Sequence, residues 1–140
     1  MKIFITGVAG FLGSHLAERM LEMGHEVLGN DSLIGGDLDN VNKKIKFFKT
    51  DCTDLDGMVK ITKDCDIIYH CAATAHEGLS VFSPHIITNN IFQASVSVIT
   101  AAIKNNIKRF VYCSSMARYG GQKPPFTEEM NTAPVDPYGV

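Results

Sequence analysis

Glycines recur at every third residue in the stretch TGVAGFLGSHL, at Gly7, Gly10 and Gly13. The spacing is one residue longer at its front than the G-x-G-x-x-G pattern that receives a dinucleotide. The physical demands are the same. Gly7 permits a tight turn, Gly10 leaves the backbone open to an approaching pyrophosphate, and Gly13 lets the following helix pack close to a sheet. An apolar run precedes the glycines and an amphipathic one follows, which separates this stretch from an ordinary glycine-rich turn. Asp31 ends the next apolar run. There a carboxylate can accept hydrogen bonds from ribose hydroxyls and repel the extra phosphate of NADP, and no lysine or arginine follows until Lys43. NAD is therefore the favoured dinucleotide. The alternative reading of Asp31 is a loop cap. Asp51, after a third apolar run, suits either the adenine amino group or an Asx turn.

These residues need a frame that brings them together, and the order of elements supplies one. Lys2–Thr6, 26–30, 45–49, 66–73 and 109–115 read as strands, and 11–23, a short stretch capped by Asp54, and 84–104 read as helices. In the first helix Leu12, Leu16, Ala17, Met20 and Leu21 recur at helical spacing, and Gly24 stops it. The runs IFIT, DIIYH and RFVYC are apolar without clean alternation, as strands covered on both faces are. Strands alternating with helices predict an α/β, Rossmann-like doubly wound parallel sheet of about five strands. Ligands of such sheets bind beyond the carboxyl ends of the strands, where each residue singled out above falls.

The chain has 140 residues, 45% hydrophobic and 20% charged, with a formal charge of −2. That balance suits one globular domain and offers no basic field for nucleic acid or an anionic membrane. No apolar run is expected to reach the ~18 residues of a membrane span, and MKIFITG lacks the form of a signal peptide. Cys52, Cys65, Cys71 and Cys113 are scattered, without a Cys-x-x-Cys pair. Cys71 and Cys113, in apolar runs, are expected to be buried free thiols, with no disulfide or metal site, in a reducing cytoplasm.

The stretch CSSMARYG followed by DPYGV makes the pattern specific. Together with TGVAGFLGSHL, Asp31, DCTD, HCAA and KRFVYCSS, it resembles the extended short-chain dehydrogenase/reductases, in particular their NAD-dependent nucleotide-sugar epimerases and dehydratases. The resemblance runs from residue 2 to the last residue. It implies that Phe11 and Leu12 lie beside the pyrophosphate with Gly7, Gly10 and Gly13. Asp31 and Ser32 would take the adenosine ribose, Asp51 and Cys52 the adenine. Cys71, Ala72 and Ala73 would line the cofactor, joined by an asparagine early in the long helix, Asn90 rather than Asn89. Ser115 matches the catalytic serine or threonine and Tyr138 the catalytic tyrosine. A phenol of ordinary pKa ~10 becomes a base near neutrality only if its anion is favoured by some 4 kcal/mol. The family supplies that field with a lysine four residues after the tyrosine and with the nicotinamide ring.

Met116 and Ala117 stand where the family's dehydratases carry an acidic pair, which disfavours elimination and leaves epimerisation of a nucleotide-sugar. The lysine position lies past Val140, the last residue here. The chain is accordingly expected to be a truncated, amino-terminal NAD-binding domain, residues 1–140, ending just after the tyrosine, without the substrate-binding region and without turnover of its own. An NAD(P)-dependent carbonyl reductase and a non-catalytic dinucleotide-binding module are the alternatives. The helix over 84–104 carries Ile86, Ile87, Ile91, Phe92, Val96, Val98, Ile99 and Ile103, too many for one packing face, so a homo-oligomer is expected.

Overall fold

The computed structural model describes residues 1–140. Strands β1 (Lys2–Thr6), β2 (Glu26–Asp31), β3 (Lys46–Lys49), β4 (Ile67–His70) and β5 (Arg109–Tyr112) form one parallel sheet in the order β3-β2-β1-β4-β5. Helix α1 (Phe11–Glu22) links β1 to β2, α2 (Leu55–Ile61) links β3 to β4, and a long helix links β4 to β5. Alternate residues of each strand serve opposite faces. Ile3, Ile5 and Val27 bury into one layer with Val8, Ala17 and Ile45. Phe4, Leu28 and Ile68 bury into the other with Met58, Ala94, Val98 and Ala101. Coverage on both faces is why these strands read as unbroken apolar runs. Fully burying one such side chain stabilises by roughly 1.5–3 kcal/mol.

The register places five residues in one row across the sheet near its carboxyl edge: Phe48, Asn30, Thr6, His70 and Tyr112. Asp31 and Lys49 pair one step further, while Gly7, Cys71 and Cys113 leave the sheet toward the site.

The strands expected over 66–73 and 109–115 end earlier than their apolar composition suggests. β4 stops at His70 and β5 at Tyr112, because their last residues turn out of the ladder toward the cleft. The long helix comprises α4 (Pro84–Thr88), a π-helical turn over Asn89–Gln93, and α5 (Ala94–Lys104), with a separate short helix α3 (Glu77–Ser80) before it. By length and composition the 84–104 segment is apolar enough to cross a membrane, contrary to the expectation from the sequence. Its inner face is nonetheless committed to this fold, since Ala94, Val98 and Ala101 are in the core. Residues 137–139 form a turn, closed by the Asp136 carboxylate, which accepts from the Tyr138 and Gly139 N–H groups at 2.8 and 2.9 Å.

Candidate functional site

The turn after β1 is shaped by its glycines in two different ways. Gly7 has a φ of +69°, and a Cβ there would lie 2.8 Å from the Ala72 Cα, so both conformation and space require glycine. A Cβ on Gly13 would strike the Gly7 carbonyl oxygen. Gly10 differs. Its backbone is extended and its Cβ would meet only the Gly7 oxygen, at 3.3 Å, so the space it keeps clear belongs to the cleft. As N-cap of α1 it offers no side chain, and the first turn of that helix carries no acidic residue. The free N–H groups there make a ready anion site.

A cleft of about 570 Å³ opens beyond the carboxyl ends of the strands. Every residue assigned to the cofactor by resemblance borders it, from Gly7 and Asp31 to Cys71, Ala73 and Asn90. Phe11 and Leu12 are exposed at 83% and 52% on the cleft rim. Asn90 donates to the Thr74 hydroxyl at 3.0 Å, whereas the Asn89 side-chain amide donates to the Asn90 Oδ1 at 3.0 Å and does not border the cleft. Asp31 does act as a loop cap: its oxygens accept from Ala9 N–H at 3.1 Å and Leu33 N–H at 2.8 Å. Each oxygen keeps a second lone pair. Asp51 holds an Asx turn, accepting from the Thr53 amide and hydroxyl with one oxygen. Cys52 is buried beside Asn30, and burial pushes its thiol up to about 11.

Sequence reasoning missed the network beneath this cleft. Thr6 Oγ1 accepts from the Cys71 and Ala72 N–H groups, both at 3.1 Å. Its proton is then left for His70 Nδ1, 2.7 Å away. That makes Nε2 the protonated nitrogen, donating to Ser95 Oγ at 3.0 Å, and Ser95 in turn donates to the Ile91 carbonyl at 2.6 Å. Each group has one consistent role, and the chain of bonds fixes the 71–72 peptide over Gly7. The signal was present as polar residues, Thr6, Asn30 and His70, inside apolar strands. Asn30 also borders the cleft; its Nδ2 donates to the Thr50 carbonyl at 2.8 Å, while its Oδ1 is fully buried without a partner.

Burial pushes His70 down to about 4 from its ordinary 6.5. The unfolded chain therefore binds this proton below pH 6.5 while the folded chain does not until pH 4. Stability is complete above 6.5 and falls as pH drops through that window, by about 3 kcal/mol from this group. Urea titrations at stepped pH should show the slope, and His70→Gln should flatten it; an equal slope in the variant would assign the effect elsewhere.

A second cavity, of about 850 Å³, adjoins the first, and Tyr138 borders both. Ser115 borders the second and caps the short 3₁₀ turn Met116–Tyr119, its hydroxyl oxygen accepting from Ala117 N–H at 3.2 Å. Ser115 and Tyr138 thus flank one space where a hydroxyl-bearing ligand can meet both. Arg118 also borders it; its guanidinium lies 4.8 Å from the Tyr119 ring centre and its Nε has no partner. The expected burial of both Cys71 and Cys113 is not observed. Cys71 is half-buried and Cys113 exposed, because the strands end before them and both turn into the cleft. Nor are they apart in space, their sulfurs lying 3.5 Å from each other.

The NAD dependent epimerase/dehydratase family model matches residues 3–140. A UDP-glucose 4-epimerase of Lactobacillus helveticus is 34% identical over 99% of this chain, which spans 43% of that protein. The structure of a Thermotoga maritima UDP-glucose 4-epimerase with UDP-glucose superposes with a TM-score of 0.95 at 30% identity, over 99% of this chain and 47% of that one. A Thermus thermophilus UDP-glucose 4-epimerase in complex with NAD gives 0.93 at 28% identity, over 99% and 46%. The chain thus spans less than half the length of each.

Proposed function

This chain belongs to the NAD-dependent epimerase/dehydratase family, and on that premise we propose that it is the cofactor-binding part of an enzyme that epimerises the sugar of a UDP-sugar. The observation that carries this reading is the convergence of Gly7, Gly10, Asp31, Asp51, Cys71 and Asn90 on one cleft at a bare helix N-terminus. The residues fit NAD. The pyrophosphate belongs over Gly10 and the first turn of α1, the ribose at Asp31 and Ser32, and the adenine at Asp51 and Cys52.

NAD, when bound, supplies the hydride acceptor. In the whole enzyme, with the lysine that the resemblance places past Val140, this chain's residues would position and deprotonate the sugar. Ser115 holds the reacting sugar hydroxyl by a hydrogen bond, and the Tyr138 oxygen receives its proton. The Asp136 carboxylate, by gripping the Tyr138 and Gly139 amides, fixes where that ring stands. Thr6 and His70 keep the floor of the cleft rigid from below. Four free thiols accord with a reducing cytoplasm as the setting.

Titration calorimetry of the 140-residue chain with NAD and NADP tests the cofactor assignment. NAD is expected to bind at least tenfold more tightly, since the Asp31 carboxylate repels a 2′-phosphate; equal or tighter NADP binding refutes it. Self-association belongs to the same reading. Phe92, Val96, Ile99 and Ile103 form an exposed stripe on the long helix at alternating four- and three-residue spacing, and β5 is a free sheet edge. Light scattering across micromolar concentrations should give a dimer or larger, and Ile99→Glu should return the monomer. A strictly monomeric wild-type chain would overturn it.

A further inference from the structure

At the carboxyl ends of β4 and β5, Cys71 and Cys113 occupy adjacent positions one residue past the paired His70 and Tyr112. The Cys113 N–H still donates to the His70 carbonyl at 3.2 Å, so the two backbones remain at sheet spacing, roughly 4.8 Å. Both side chains leave the same face of the sheet, toward the cleft, with sulfurs 3.5 Å apart. A disulfide needs about 2.05 Å between sulfurs and a Cα separation of roughly 4.4–6.8 Å. Side-chain rotation alone closes the remaining gap. Cys52 and Cys65 are both buried and their recorded hydrogen-bond partners are not sulfur, which makes them internal controls.

We propose that Cys71 and Cys113 are an oxidation site, a dithiol that a hydroperoxide converts to a disulfide when the cleft is empty and that a bound dinucleotide protects. The protection rests on the cofactor reading above; the dithiol does not. The roles of the two sulfurs differ. Burial first, and the Cys113 contact second, push the Cys71 thiol up to about 12, whereas Cys113 is exposed. Cys113 is the attacking sulfur and Cys71 the resolving one.

The balance is complete with the peroxide as oxidant. Cys113 Sγ, as thiolate, attacks a peroxide oxygen; the O–O bond breaks, and hydroxide leaves and takes up the proton that Cys113 lost, as water. Cys71 Sγ then displaces hydroxide from the Cys113 sulfenic acid; the S–S bond forms, the S–O bond breaks, and the Cys71 proton leaves with that hydroxide as a second water. Two thiols are oxidised and one peroxide is reduced.

The disulfide would tie the floor of the cleft to the segment that carries Ser115. The test uses the reduced 140-residue chain, hydrogen peroxide, and NAD at none or at ten times its calorimetric Kd. Non-reducing peptide mapping is expected to find Cys71 linked to Cys113, with the loss of two hydrogens, reversed by dithiothreitol, and with Cys52 and Cys65 still free. Cys71→Ser should leave Cys113 trappable as a sulfenic acid, and Cys113→Ser should leave Cys71 unreacted. NAD at that ratio should slow linkage about tenfold, because only about one chain in eleven has an empty cleft. Over-oxidised Cys113 beside a free Cys71 in the wild type would overturn the proposal, as would linkage at the same rate with NAD bound. A chain that forms the link but shows no NAD binding by calorimetry sinks the cofactor reading and leaves the dithiol standing. Binding without linkage does the reverse.

Discussion

Replacing Gly10 by valine is expected to lower NAD affinity by at least about a hundredfold while leaving the chain folded. The backbone at Gly10 is extended, at φ −84° and ψ 175°, which any residue adopts. A Cβ there meets only one protein atom within 4 Å, at 3.3 Å. The valine methyls would instead fill the space over the first turn of α1, where the pyrophosphate accepts from free N–H groups. Each charge-assisted hydrogen bond of that kind contributes roughly 1.5–3 kcal/mol, so losing two accounts for the expected factor or more. Calorimetry measures the loss, and circular dichroism in urea checks that stability moves by less than about 1 kcal/mol. Gly13→Ala is the contrast, since its methyl would strike the Gly7 carbonyl and disturb the turn itself. If the two variants lose stability equally, Gly10 is a folding residue and the space is not a ligand's.

Thr6→Val should destabilise the chain by about 3 kcal/mol, although it keeps the shape and the β-branched stem. Thr6 is wholly buried, and its hydroxyl serves three partners: the Cys71 and Ala72 amides and the His70 imidazole. Valine leaves all three without this partner, and a buried unmet polar group costs roughly 1–3 kcal/mol. Because the released peptide lies against Gly7, cofactor affinity should weaken alongside stability. Thr6→Ser restores the hydroxyl and loses one methyl, so it should recover all but about 1 kcal/mol. Urea unfolding of the three proteins decides the matter; a serine variant as weak as the valine one would show that packing, not the network, is at stake.

The sheet was legible because periodicity and glycine spacing are local properties of the chain. Lys2–Thr6, the turn at Gly7 and the helix from Phe11 all stand where the residues alone place them. What escaped was set by pairing across the sheet. Nothing near Thr6 in sequence announces His70, 64 positions away, and no composition rule says that their shared row carries the polar groups. The same holds for Cys71 and Cys113, which read as buried thiols because their neighbours are apolar. Strand ends depend on where a partner strand stops, not on where hydrophobicity does. Leu12 shows the other case: the glycine motif beside it, not its helical spacing, marked it for the cleft, and it stands on the rim.

The π-helical turn at Asn89–Gln93 has a consequence for the length of the chain rather than its composition. A widened turn takes in one residue more than an α-turn, and one residue corresponds to about 100° of rotation about the axis. The turn therefore works as a phase shifter, setting the orientation of α4 and of its own Asn90 amide independently of the stripe on α5. Deleting any one residue there would swing one half of the helix by about that angle. Either Asn90 would leave Thr74, or Val98 and Ala101 would rotate out from under the sheet. Substitutions on the outer face of the helix are free of that coupling, so this segment tolerates changes of residue far better than changes of count.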